Sequence, residues 1–191
     1  PEFPEINVIS NVKNEQGTPI GNLGDGEAVW HADMTYVELP PKAGILYALE
    51  VPENQGNTHF ANMSLAYSDL SDDIKEKIDG KILIHDSAHN SAGMLRKGYS
   101  EVNNPTDTPG ARHPMVITDK STNKKLLFLG RRPHAYIVGL EIEESENLLD
   151  EIWEHATQEK YTWTQKWDKG DLLMWKNLNV LHKRDAFDPN T

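Results

Sequence analysis

The sequence predicts a mainly-β domain with flanking helices, a sandwich or barrel with the helices packed outside. Three observations predict it. Apolar residues come in short runs divided by Gly, Pro and Asn, the pattern of strands and turns. Tyr161, Trp163 and Trp167 alternate with Thr162, Thr164 and Lys166, a period of two that gives a strand one buried face. Only two segments carry a helical period.

Taken in order, the expected strands cover 6–12, 45–51, 81–85, 115–118, 125–129, 136–138, 161–167, 171–175 and 178–181. Asp168-Lys169-Gly170 reads as the turn of a hairpin joining 161–167 to 171–175. The first helix is expected over 71–78, where Leu70, Ile74 and Ile78 stand four apart, Ser71 can cap and Gly80 can stop it. The second covers 143–156, with acids in its first turn, Leu148, Leu149, Ile152 and Trp153 on one face, and His155 in its last turn. Between them, 87–114 has almost no period and is rich in Asn, Gly and Pro. A loop of this length is a substrate lid or a disordered segment.

The chain has 191 residues, which fits a single domain spanning 1–191. It contains no apolar run near the roughly 20 residues of a membrane helix, and no basic-then-apolar leader opens it. The absence of cysteine excludes disulfides, thiolate zinc sites, iron–sulfur clusters and a cysteine nucleophile, and fits a cytoplasmic location. Thirty acidic residues against 19 basic ones give net −11, which argues against a nucleic acid partner. A homo-oligomer stays open. The chain begins at Pro1 without methionine and stops at Thr191 after the turn residues Asp188-Pro189-Asn190, so it reads as a fragment or as trimmed.

The sharpest local signal is Trp30-His31-Ala32-Asp33. Side chains at i and i+2 of a strand share a face, so His31 and Asp33 there can grip one metal ion. Non-haem iron sites use two histidines and one carboxylate and leave positions open for other ligands. A third ligand must come from His59, His85, His89, His113, His134, His155 or His182. His155, at a helix end, suits a dipole role, whereas His182 ends the last apolar run, at the mouth of an expected barrel. Two other readings remain at this point: a metal-dependent cupin-type isomerase or hydrolase that uses no 2-oxoglutarate, and a non-catalytic β-sandwich binding module with structural histidines.

Trp30-His31-Ala32-Asp33-Met34-Thr35-Tyr36, followed by Pro40-Pro41, resembles the metal motif of the taurine dioxygenase (TauD/TfdA) family of Fe(II)- and 2-oxoglutarate-dependent oxygenases. Gly56-Asn57-Thr58 is similar to that family's Gly-Gly-Asp-Thr segment, and the stretch from Trp167 to Asn177, with His182 beyond it, resembles its distal-histidine block. Segments around Phe128-Leu129-Gly130 and Glu154-His155-Ala156 also look familial, nearer the aryloxyacetate dioxygenases. The motifs run in order from Ile20 to the end of the chain.

The resemblance implies a double-stranded β-helix (jelly roll, cupin-like), with His31, Asp33 and His182 as iron ligands and Thr58 as a 2-oxoglutarate contact. It implies O2 as co-substrate and hydroxylation of a small organic anion, a carboxylate or sulfonate, with release of succinate and CO2. Asp33 argues against the related halogenases, which lack that carboxylate. Tyr36, Asn90, Arg131 and Arg132 are weaker substrate candidates, with His134 near them, and Arg96 and Lys97 are further cations for an anionic substrate. The resemblance also implies departures. Most of the family's region before the metal motif and its final strand lie outside this sequence, as does the arginine that binds the 2-oxoglutarate carboxylate. Arg184 is too near His182 to replace that arginine. Lys176 stands where an Asp is common, and Glu27 falls on a substrate-contacting Asn of the taurine-oxidising members, which argues against taurine.

Overall fold

A computed structural model describes residues 6–18, 20–23 and 28–188 of the chain. The described strands are β1 (Ile9–Ser10), β2 (Asn22–Leu23), β3 (Ala28–His31), β4 (Ala43–Tyr47) and β5 (Thr58–Asn62). Helices α1 (Met63–Ser68) and α2 (Asp72–Ile78) follow, then β6 (Ile82–Asp86), β7 (Gly110–Pro114), β8 (Val116–Asp119), β9 (Lys124–Leu127) and β10 (Tyr136–Ile137). Helix α3 (Ile142–Ala156) precedes β11 (Thr162–Gln165), β12 (Leu172–Lys176) and β13 (Val180–Arg184). The protein is mainly β with few helices, as its composition of short runs implies.

The central sheet has the order β11-β5-β13-β3, and β12-β4, β10-β6-β7, β8-β9 and the parallel pair β1-β2 are separate ladders. Alternation gives the central sheet two different faces. Ala61 and Leu181 turn to one side and are fully buried with α1, α2 and α3 in the main apolar core. Phe60 and His182 are register partners and turn to the other side. There Trp175 of β12 closes the layer, its ring centroid 5.4 Å from Phe60 and 5.1 Å from His182. Gly44 of β4 stands where any Cβ would collide with the Trp175 indole, so that approach needs a glycine.

The helices form for the reasons their sequences give. Ser71 caps α2, its hydroxyl accepting from the Ile74 amide, and Gly80 adopts a left-handed φ of 68° just beyond the end. Helix α3 buries Leu148, Leu149, Ile152 and Trp153 on one side, and the hydroxyl of its buried Ser145 accepts from the Ile137 amide of β10. Helix α1 was not expected from the apolar pattern. It is started by Asn62, whose side chain accepts from the Ser64 and Leu65 amides.

Several expectations are corrected. Residues 161–167 and 171–175 do not form a hairpin: β11 pairs with β5, and β12 pairs with β4 in another ladder. Trp163 is half exposed rather than buried. Of the expected strand at 6–12, only Ile9–Ser10 is extended and paired. Residues 110–114 leave the long loop as strand β7, where His113 and Ala111 are buried and Arg112 is exposed. Of the terminal turn Asp188-Pro189-Asn190, the last two residues and Thr191 lie outside the described residues, as does Pro1.

Ile152→Ala should lower unfolding free energy by about 2–5 kcal/mol, because a fully buried branched side chain leaves a cavity in this core. Met174→Ala, at a position 67% exposed, should cost less than about 1 kcal/mol. Urea unfolding of both variants checks the contrast, and equal losses would place the core elsewhere.

Candidate metal centre

His31 is the last residue of β3, and its register partner across the antiparallel ladder is His182 of β13. The two imidazole centroids are therefore only 4.2 Å apart. Asp33 is not on the strand, contrary to the same-face argument. It opens the turn 33–36, in which Met34 takes a φ of 51°. The turn swings the carboxylate back, so that Asp33 Oδ1 lies 3.6 Å from His31 Nε2 and 3.7 Å from His182 Nε2. One donor atom from each of His31, Asp33 and His182 lies within 4.8 Å of the other two.

Asn177, fully buried just before β13, holds that turn. Its side-chain oxygen accepts from the Asp33 amide at 2.8 Å, and its amide nitrogen donates to the Asp33 and Pro41 carbonyls at 2.8 and 3.0 Å. His31 Nδ1–H donates to the Val29 carbonyl at 2.7 Å, which leaves Nε2 as the ring nitrogen that faces Asp33. Burial, reinforced by the neighbouring His31, pushes the His182 pKa down to about 3, so its ring is neutral, the form that ligates metals. Burial alone would raise the Asp33 pKa, but His31 and then His182 outweigh it and hold the carboxyl below its ordinary value.

Beside these three residues is a cavity of about 470 Å³. His31, Asp33, Thr35 and Tyr36 line one wall, and His85, Asp86, His89, Asn90, Arg96 and Arg131 the other. The long loop thus folds over the centre. The Ser91 carbonyl accepts from Val29 at 3.0 Å, and the Ala88 carbonyl from the Arg96 amide at 2.7 Å. Asp86 organises this wall, accepting from the Ala88 and His89 amides, from His89 Nδ1 and from the Arg131 guanidinium.

The other expected residues divide. Tyr36 and Asn90 line the cavity. Arg131 lines it too, but is buried against Asp86 and the Asn90 carbonyl. Arg132 turns away, held by Glu146 and Asp150 of α3, and is spent on fastening that helix. His134 stacks on His89 at 3.9 Å. Thr58 lies on the central sheet opposite Arg184, one pleat from the Phe60–His182 pair, and its hydroxyl accepts from Trp167 Nε1 at 2.9 Å. Glu27 lies outside the described residues. Sequence reasoning missed Asn177, whose buried triple contact has no local signature, and gave His85 no role beyond a possible ligand. His85 lines the cavity, is 2% exposed, and has neither ring nitrogen hydrogen-bonded. Burial, reinforced by His113, pushes its pKa down to about 3. Gly130 makes room for it, because a Cβ there would collide with the His85 ring.

A mainly-β scaffold that brings two imidazoles and one carboxylate together beside a cavity presents the donor set used by the mononuclear non-haem metal proteins. More narrowly, the chain belongs to the taurine catabolism dioxygenase TauD, TfdA family, whose model matches residues 1–191. An alpha-ketoglutarate-dependent 2,4-dichlorophenoxyacetate dioxygenase of Burkholderia sp. (strain RASC) is 32% identical over 98% of this chain and 64% of its own length. Among solved structures, AAD-2 in complex with Mn(II) and N-oxalylglycine is similar at a TM-score of 0.74 and 30% identity, over 86% of this chain and 64% of that one. A taurine dioxygenase from Burkholderia xenovorans follows at 0.68 and 30%, over 82% and 51%. The chain spans less than two thirds of the length of each.

Asn177→Ala should leave three backbone groups, the Asp33 amide and the Asp33 and Pro41 carbonyls, without their partners. It should cost about 1–3 kcal/mol in stability and weaken Fe(II) affinity about 10–100-fold, as loss of an orienting residue does. Denaturant unfolding and anaerobic metal titration read the two effects separately. His85 makes a prediction about pH. Its folded pKa lies below the unfolded value near 6.5, so the unfolded state binds the extra proton first, and stability falls as pH drops from about 6.5 toward 3. In His85→Gln that slope should be shallower by up to about 1.4 kcal/mol per pH unit, measured as urea midpoints between pH 6.5 and 4. An unchanged slope would mean that His85 is charged in the fold.

Proposed function

We propose that this chain is a single oxygenase domain of an Fe(II)- and 2-oxoglutarate-dependent dioxygenase that hydroxylates a small organic anion. Succinate and CO2 are the co-products. The observation that carries this reading is the convergence of His31, Asp33 and His182, two of which, His31 and Asp33, line a cavity with charged and polar groups on its other side. The donor set fits the metal: two imidazoles and one carboxylate are the ligands of non-haem iron that leave open positions for other ligands. Bound there, iron with 2-oxoglutarate and O2 supplies the oxidising chemistry.

The chain's own residues do the rest. His31 and His182, register partners across the β3–β13 ladder, and Asp33 from the adjoining turn would hold the metal. The Val29 carbonyl keeps His31 in the ligating tautomer, and Asn177 aims Asp33. Thr58 contacts a carboxylate of 2-oxoglutarate: with its oxygen already accepting from Trp167, its own O–H is left to donate. The long loop covers one side of the cavity, which limits the water around a bound substrate. N-oxalylglycine has the skeleton of 2-oxoglutarate with one methylene replaced by NH, so its presence with Mn(II) in a similar structure supports the same co-substrate here.

The strand order supports a double-stranded β-helix. Along the chain, β3, β5, β11 and β13 enter the central sheet, while β4 and β12 enter the ladder that Trp175 seats against it. Alternation between two facing sheets is how a jelly roll winds. We also place the protein in the cytoplasm, consistent with its lack of cysteine. Among the described residues no helix is long and apolar enough to cross a membrane.

His31→Ala should abolish tight Fe(II) binding in anaerobic titration, whereas Thr58→Ala should keep the iron and weaken 2-oxoglutarate binding about tenfold, the loss of one hydrogen bond to a charged group. Iron affinity that survives alanine at 31, 33 and 182 alike would sink the assignment.

A further inference from the structure

Four cations stood as candidates to meet an anionic substrate, and the fold disposes of three. Arg131 lies in the cavity, but its charge is taken up by Asp86. Arg132 is bound by Glu146 and Asp150 and faces α3. Lys97 is exposed and lines no part of the cavity. Arg96 differs from all three. It lines the cavity, and among the described residues no carboxylate pairs with it. Its backbone is pinned on both sides, the amide donating to Ala88 at 2.7 Å and the carbonyl accepting from Tyr99 at 3.1 Å. Its guanidinium carbon stands 4.0 Å from the centre of the Tyr36 ring.

That stacking matters for recognition. An arginine laid against an aromatic face keeps its N–H edges outward, in the fork that suits a carboxylate or sulfonate. The ring also limits the guanidinium's freedom, so less entropy is lost when an anion arrives. Tyr36 closes the turn that begins at Asp33, so one short segment connects the metal ligand to the platform under Arg96. The remaining charges of the cavity are already committed. Asp33 faces the two imidazoles, and Asp86 is saturated by Arg131, His89 and two amides.

We propose that Arg96, stacked on Tyr36, is the residue that binds the carboxylate or sulfonate of the substrate in this cavity and so sets the preference for anions. The proposal rests on the oxygenase reading for the identity of the ligand as a substrate, but not for the existence of the anion site. The loop 87–109 then has a chemical task besides covering: it carries the counter-charge to the substrate across from the metal ligands.

The test is an anaerobic calorimetric titration of the Fe(II)-loaded chain with phenoxyacetate and with its neutral counterpart phenoxyacetamide. Wild type should bind the anion at least tenfold more tightly than the amide. Arg96→Gln should erase that preference and leave the amide affinity within twofold, Arg96→Lys should keep part of it, and Lys97→Gln all of it. Iron affinity and the circular dichroism spectrum should not change in any variant. A preference that survives Arg96→Gln, equal loss for both probes, or no anion preference in wild type overturns the proposal. Succinate release from the same samples, given O2 and 2-oxoglutarate, addresses the oxygenase reading independently. An Arg96-dependent preference without succinate from either probe would remove that reading and leave the anion site standing.

Discussion

Strand β13 is paired on both sides, with β5 along one edge and β3 along the other, and the site follows from that double pairing. Because the ladder is antiparallel and in register at His182, the imidazole has Phe60 on one flank and His31 on the other. A one-residue slip would turn His182 into the helix-packed core and Leu181 into the polar interior, so the hydrophobic demand at Leu181 fixes the ligand's direction. The geometry of the candidate metal centre is thus a by-product of burying apolar residues correctly. Asp33, outside the ladder, is the one member that needs its own restraint, and Asn177 supplies it.

Adjacent arginines show how the charge of the chain is distributed. Arg131 and Arg132 follow one another, yet one reaches into the cavity wall and the other out to α3. Together they join the helix layer to the layer that carries the ligands. The Arg131–Asp86 pair is buried; such a pair adds little net stability, but removing one partner strands a charge, so it acts as a positional constraint. The cavity is polar on its far wall because Asp86 gathers four donors at one carboxylate, which leaves Arg131 neutralised and Arg96 not.

Much of the site was legible in the sequence because ligand chemistry is local. His31 and Asp33 could be paired from residue type and spacing, His182 was singled out only by the family resemblance, and helices α2 and α3 were read from period and caps. What was not legible depends on contacts distant in sequence. The hairpin expected around Asp168-Lys169-Gly170 failed because a turn dictates only that the chain reverses, not which strand it then joins. Strand β7 hid because its buried face includes His113, whose ring nitrogen donates to the Thr35 and Val37 carbonyls, so the alternation is not one of hydrophobicity. Nothing around Asn177 announces that its partners lie 136 and 144 residues away. The separate destinies of Arg131 and Arg132 are settled by acids on two different elements.

The candidate ligands at 31, 33 and 182 come from near the two ends of the described chain, and an ion shared among them would enclose nearly everything between in a single loop. Such an ion binds the native state and has little hold on the unfolded one. It therefore adds to the free energy of unfolding by mass action, about 2.7 kcal/mol at a free concentration one hundred times the dissociation constant. That is comparable with what a disulfide across a long loop contributes, in a chain that has no cysteine. Persistence of a protein stabilised in this way would depend on metal supply: under scarcity a metal-free population unfolds more often and is cleared by proteases.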